Sequence, residues 1–85
     1  MALDGCRVPH QDHPPWLLAH RRVLGDRIRE RRMRCNLTQE QLAYRAGISR
    51  DTVHRIEAAR NDAPISYFWR IARALDMPLA DLVRE

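Results

Sequence analysis

Two helix-start signals, Thr38 and Ser49, stand close together in the middle of this 85-residue chain, with Gly47 between them. Thr38-Gln39-Glu40-Gln41 reads as a capping box, in which the Thr38 hydroxyl accepts from the Gln41 backbone N–H and the Gln41 side chain reaches back. The helix that starts there carries Leu42, Ala43 and Ala46 inward and stops at Gly47, which takes a positive φ at no steric cost. Only Ile48 separates that glycine from Ser49, a second N-cap, which opens a helix with Val53 and Ile56 on its buried side. Two helices joined by so few residues, one of them glycine, form a sharply bent pair. The middle of the chain is thereby committed to helix, and the rest must pack around that corner.

The flanks agree. No alternating Val/Ile/Thr/Tyr run appears and aromatic residues make up 6%, so the expectation is an all-α domain. A first helix can start at Pro15, with Leu17, Leu24, Ile28 and Cys35 on one face; its core is Val23 to Cys35, and Asn36 suits its end. A fourth helix is predicted from about Ile65 to Leu75, burying Ile65, Phe68, Ile71, Ala72 and Leu75. Met77-Pro78 breaks it, and a short fifth helix from about Leu79 to Arg84 offers Leu79, Leu82 and Val83. Residues 1–20 read as an extension, its polar stretch to His13 a flexible tail, and residues 21–85 as the folded domain.

A chain of this size has room for one modest core. No apolar run approaches the ~20 residues that cross a bilayer, and the first residues lack the pattern of a signal sequence, so a cytoplasmic location is expected. Cys6 and Cys35 are then free thiols, Cys35 as a small buried filler in the first helix.

Charge is distributed unevenly. All 15 basic residues are arginine, a bias that GC-rich codon usage explains without any functional meaning. Residues 1–20 carry a net −1, and residues 61–85 also carry −1. Residues 21–60 hold 11 Arg against Asp26, Glu30, Glu40, Asp51 and Glu57, for +6. A basic middle between faintly acidic ends points to a polyanion bound by the segment that contains the bent helix pair. Within it, Arg27, Arg29, Arg31 and Arg34 read as a solvated helix face that adds sequence-independent attraction.

The segment from Leu24 to Val83 resembles the lambda-repressor-like helix-turn-helix domain of phage repressors, Cro and XRE-type bacterial regulators. The resemblance rests on the spacing Gln39, Leu42, Ala43, Gly47, Ile48, Val53 and Ile56 within TQEQLAYRAGISRDTVHRIE, followed by IARALDMPLADL. It implies a compact five-helix domain whose third helix enters the major groove of double-stranded DNA. By that resemblance, Arg50, Asp51 and Arg55 read bases, with His54 at the edge; Arg suits guanine O6 and N7. Gln39, Ser49, Arg60 and Asn61 fall on backbone-contacting positions, while Arg32 and Glu57 match a buried ion pair that braces the recognition helix. Asp51 either accepts from a cytosine amino group or orients Arg55 one turn later.

Two positions depart from the family pattern. Ala59 stands where glycine is common, so the third helix is expected to run on to Arg60 or Asn61. Trp69 stands where leucine is usual and is expected to lean on the extension or a second subunit.

The implied function is a sequence-specific transcriptional regulator, a repressor, working as a homodimer with Leu79, Leu82 and Val83 as the pairing surface. The alternative is an antitoxin or adaptor that holds a protein partner through Trp16, Leu17 and Leu18. Enzymatic activity, a cofactor and a metal are not expected. Cys6, His10 and His13 have no tight zinc spacing, and a domain this small has scant room for a pocket of ~300 Å³.

Overall fold

Pro15 opens α1 (Pro15–Arg34), where its missing N–H is no loss because first-turn donors have no partner within the helix. The Pro14 carbonyl accepts from the Leu17 and Leu18 N–H groups, and the helix continues unbroken through residues 20 and 21. The computed structural model describes residues 14–60 and 62–84, and four further helices follow α1 within them: α2 (Gln39–Ala46), α3 (Arg50–Glu57), α4 (Ile65–Ala74) and α5 (Leu79–Val83). Among the described residues there is no strand, and the protein is all-α.

The ends of the first three helices have identifiable causes. Asn36, at φ 57°, turns the chain out of α1. Gly47, at φ 72°, closes α2, and the Ile48 N–H returns to the Ala43 carbonyl at 3.0 Å. At the end of α3 the expectation is overturned. Ala59 adopts φ 60° despite its Cβ, and the helix stops at Glu57 instead of running on. The closing bonds explain it: the Ala59 N–H donates to the Ile56 carbonyl at 3.0 Å and the Arg60 N–H to the Arg55 carbonyl at 2.9 Å. Asn61 lies outside the described residues.

The core forms where α2 packs on α3 and α4 while α1 packs on α3 and α5. Ile28, Leu42, Val53, Ile71, Leu75 and Leu82 are fully buried at its centre, with Ala43 and Ala46 small enough to let the helices approach.

Several assignments change. Cys35 is exposed: it caps α1 just before the Asn36 turn, and Leu37, one step past that turn, fills the core instead. Ile65 is 56% exposed, because it opens α4 at the edge of the inward stripe formed by Phe68, Ile71, Ala72 and Leu75. In α5 only Val83 of the three expected surface residues is exposed; Leu82 belongs to the core and Leu79 is half-buried.

Trp16 is 63% and Trp69 59% exposed, and they border separate hollows, so the described part of the extension, residues 14–20, does not cover Trp69. Trp16 instead meets the His20 ring edge-on at 5.9 Å between centroids.

Arg27 and Arg31 are not a solvated face. Arg27 donates to the Leu82 and Arg84 carbonyls at the end of α5. Arg31 donates to the Leu75 and Asp76 carbonyls at the end of α4, at 3.2 and 3.3 Å. These helix-end carbonyls have no intrahelical donor, and a cation there also complements the helix dipole. Arg70 serves α2 in the same way, at 3.4 Å from the Ala46 carbonyl.

Candidate nucleic-acid interface

Helix α3 is held on its inner side and bare on its outer side. Val53 and Ile56, three residues apart, are buried, which turns Arg50, Asp51, His54 and Arg55 to solvent. Its start is fixed by Ser49, whose hydroxyl accepts from the Thr52 N–H at 3.1 Å and lies 2.7 Å from the Thr52 hydroxyl. Within the exposed row, Arg55 Nε sits 3.1 Å from the Asp51 carboxylate one turn back. Both side chains are well solvated, so the pair contributes only about 0.3–0.5 kcal/mol of stability. It sets the Arg55 guanidinium beside the Asp51 carboxylate.

Behind α3 lies a polar junction of three helices. Arg32 of α1 donates from Nε to Glu57 Oε2 at 2.7 Å and from Nη2 to Oε1 at 3.1 Å. A third bond reaches Glu57 Oε1 from Gln39 Nε2 of α2, also 3.1 Å. Arg32 Nη1 closes the arrangement on the Leu37 carbonyl at 2.8 Å. The Glu57 side chain is 3% exposed, and among the described residues no buried side-chain nitrogen or oxygen lacks a partner. Gln39 thus spends one N–H on Glu57 and keeps its second N–H and its carbonyl oxygen for another partner.

Of the other backbone-contact candidates, Ser49 and Arg60 are exposed, Ser49 beside Thr52 and Arg60 just past the Ala59 turn; Asn61 lies outside the described residues.

Sequence reasoning missed two features. Gly25 is buried where α1 crosses the end of α3, and a Cβ there would meet the Ile56 and Glu57 carbonyl oxygens at 2.7 Å. A glycine inside a helix costs about 1 kcal/mol relative to alanine, and that local disadvantage was the available signal. Tyr44, on the outer face of α2, is 89% exposed beside Arg45.

Among the described residues, no three His, Cys, Asp or Glu side chains are grouped to hold a metal ion, and no helix is long and apolar enough to cross a membrane. Cys6, His10 and His13 lie outside them. The expected lack of room for a pocket is incorrect, because a cleft of about 360 Å³ opens between α1 and α5.

With this geometry in view, comparison with known proteins is informative. The family described as "Helix-turn-helix domain" matches residues 23–85. Over 56 residues the chain is 39% identical to an uncharacterized transcriptional regulator in the ATPase CF(0) region of Rhodospirillum rubrum; the match covers 66% of this chain and about half, 52%, of that relative. It is 46% identical over 48 residues to an uncharacterized HTH-type transcriptional regulator of Methanothermobacter thermautotrophicus, covering 56% of this chain and 70% of the relative. Among solved structures it is similar to the restriction-modification controller protein C.AhdI from Aeromonas hydrophila. That match has a TM-score of 0.73 and 31% identity, covering 76% of this chain and 94% of the other.

Proposed function

The chain belongs to the helix-turn-helix domain family, and from that membership we propose that it is a sequence-specific, double-stranded-DNA-binding transcriptional regulator. The observation that carries this reading is the outer face of α3. Arg50 and Arg55 stand exposed on a short helix whose inner face, cap and rear brace are all fixed. A rigid helix of this width fits the major groove, and an oriented guanidinium can meet guanine O6 and N7 together. Asp51 and His54 complete the reading row. Gln39, Ser49, Arg60 and Asn61 serve the phosphate backbone, fixing register without reading sequence.

Residues 21–85 form the DNA-binding unit in this proposal and residues 1–20 its extension. The protein acts as a homodimer, since one such helix makes too few base contacts for useful specificity. Buried Leu82 cannot join the pairing surface. Ile65 and Trp69 are better suited: they lie one turn apart on the outer side of α4, both exposed, and Met77, Pro78 and Leu79 line the hollow beside Trp69. Net charge favours this side as well, since residues 61–85 carry −1 while the basic middle would repel its copy. Bound across a promoter, such a dimer excludes competing proteins and represses.

Selection of duplexes from a random library tests the proposal. The expected product is an inverted repeat with half-sites about 34–36 Å apart. Arg50→Ala combined with Arg55→Ala should abolish discrimination between the selected duplex and random DNA. If the double variant discriminates as well as the parent, the reading fails. An antitoxin or adaptor role draws on exposed Trp16 and Leu18 with neighbouring Leu17. It is favoured instead if no duplex is selected and a stoichiometric protein partner is retained through those residues.

A further inference from the structure

The cleft between α1 and α5, about 360 Å³ in volume, is lined by none of Arg50, Asp51, His54 and Arg55. Leu17 and Leu24 of α1, Ile56 of α3, Phe68 of α4, and Leu82 and Val83 of α5 supply its apolar walls. Its charged lining is one-sided. Arg21 is paired with Asp62, Nε to Oδ1 at 3.0 Å, and so is neutralised. Arg27 is bonded to the Leu82 and Arg84 carbonyls, which carry no formal charge, and it forms no ion pair among the described residues. Arg84, which is exposed, adds a second cation at the same mouth.

We propose that this cleft binds a small amphiphile with an apolar body and an anionic head, of the carboxylate or sulfonate type. Three observations carry the assignment. The volume falls within the ~300–1,000 Å³ of small-molecule sites, and apolar walls with a few convergent polar groups are the usual make-up of such sites. The surplus cations at the mouth select the sign of the head group. They also argue against a second copy paired symmetrically on this face, because Arg27 and Arg84 would then meet their own equivalents.

The cleft is placed to regulate. Its walls include Ile56 and Ala59, the last buried apolar residue of α3 and the residue whose positive φ turns the chain away after it. A ligand seated there bears on the end of the recognition helix and changes affinity for DNA; this clause alone rests on the DNA-binding reading.

The test uses the full-length chain without DNA. Anilinonaphthalene sulfonate is titrated by fluorescence, then displaced by dodecanoate or by dodecyltrimethylammonium, each below its micelle concentration. The expected result is saturable one-to-one binding, with dodecanoate displacing the dye at least about tenfold more effectively than the cation. Val83→Trp, which fills the cleft from an exposed position, should weaken dodecanoate binding about tenfold. Arg84→Glu should remove most of the preference for the anion. Circular dichroism establishes that each variant is folded, and if Val83→Trp is not, Arg84→Glu decides alone. The proposal is overturned by absence of saturable binding, by equal affinity for the two amphiphiles, or by variants that bind as the parent does. Loss of dye binding as protein concentration rises also overturns it, because a second copy then occupies the cleft. Finally, saturating dodecanoate is added to the complex with a selected duplex. An unchanged affinity overturns the regulatory clause, whereas dye binding in a chain that selects no duplex leaves the cleft standing and removes only the DNA reading.

Discussion

Arg32 and Glu57 meet in a two-pronged contact, 2.7 and 3.1 Å, that joins α1 to the last residue of α3 almost wholly out of water. Breaking one side leaves the other charge buried without a partner. Glu57→Ala should therefore lower unfolding stability by about 3–5 kcal/mol in urea titration, and Arg32→Met with Glu57→Leu should recover most of the loss. A cost below about 1 kcal/mol for the single change would show the junction to be solvated.

Gly25→Ala adds one methyl group where α1 crosses the Ile56 and Glu57 carbonyls. Backbone cannot give way as a flexible side chain does, so α3 must shift. The expected destabilisation is about 1–3 kcal/mol, as for other overpacked sites. Duplex binding by the folded variant should weaken too, which a side-by-side melting and binding experiment reads.

Ala59→Gly acts in the opposite direction. The left-handed conformation costs a non-glycine residue about 1–2 kcal/mol, and glycine's extra freedom in the unfolded chain returns about 0.4–1 kcal/mol of that. A net gain of about 0.5–1 kcal/mol is expected, visible as a higher midpoint in urea.

Asp51→Asn should leave stability within about 0.5 kcal/mol, because its bond to Arg55 is exposed. In the proposed reading its effect is on specificity: with the guanidinium released, the base preference at the position assigned to Arg55 should change by about 1–3 kcal/mol of discrimination, measured by repeating the duplex selection with the variant.

Trp69→Ala removes the largest exposed apolar side chain beside Ile65 without opening the core. Unfolding should be almost unaffected, while for the proposed homodimer the dissociation constant measured by sedimentation should rise about tenfold or more. Equal association of the two proteins would place the pairing surface elsewhere.

What could be read from the sequence was what acts over short distances along the chain. Thr38 with Gln41, Gly47 and Ser49 are each complete within a few residues, so caps and turn could be placed before any packing was known. The inward sets of α2 and α3 followed from them. Contacts made across the fold left no such local trace, and the one that was foreseen, Arg32 with Glu57, came from the family resemblance. Nothing near Arg27 or Arg31 announces that the ends of α5 and α4 lie beside them, more than 40 positions away in sequence. Ile65, Leu82 and Val83 are all apolar, and only the tilt of α4 and α5 on the core decides which are covered. Ala59 was misjudged for a related reason. The rule that favours glycine there counts local strain and omits the two closing hydrogen bonds that oppose it.

The guanidinium groups at the ends of α2, α4 and α5 have a consequence for how the molecule opens. Final helical turns ordinarily fray on their own, and a five-residue helix such as α5 does not persist alone in water. Here carbonyls at the ends of α4 and α5 are gripped from α1, and that of Ala46 at the end of α2 from α4, so none of these three ends can loosen without a neighbouring helix releasing it. Arg31 takes two carbonyls at once from separate nitrogens, a grip suited to arginine's planar fork rather than to a lysine ammonium. Backbone amides in these terminal turns should exchange with solvent at the rate of the whole domain: the protein comes apart in one step, not from its ends inward.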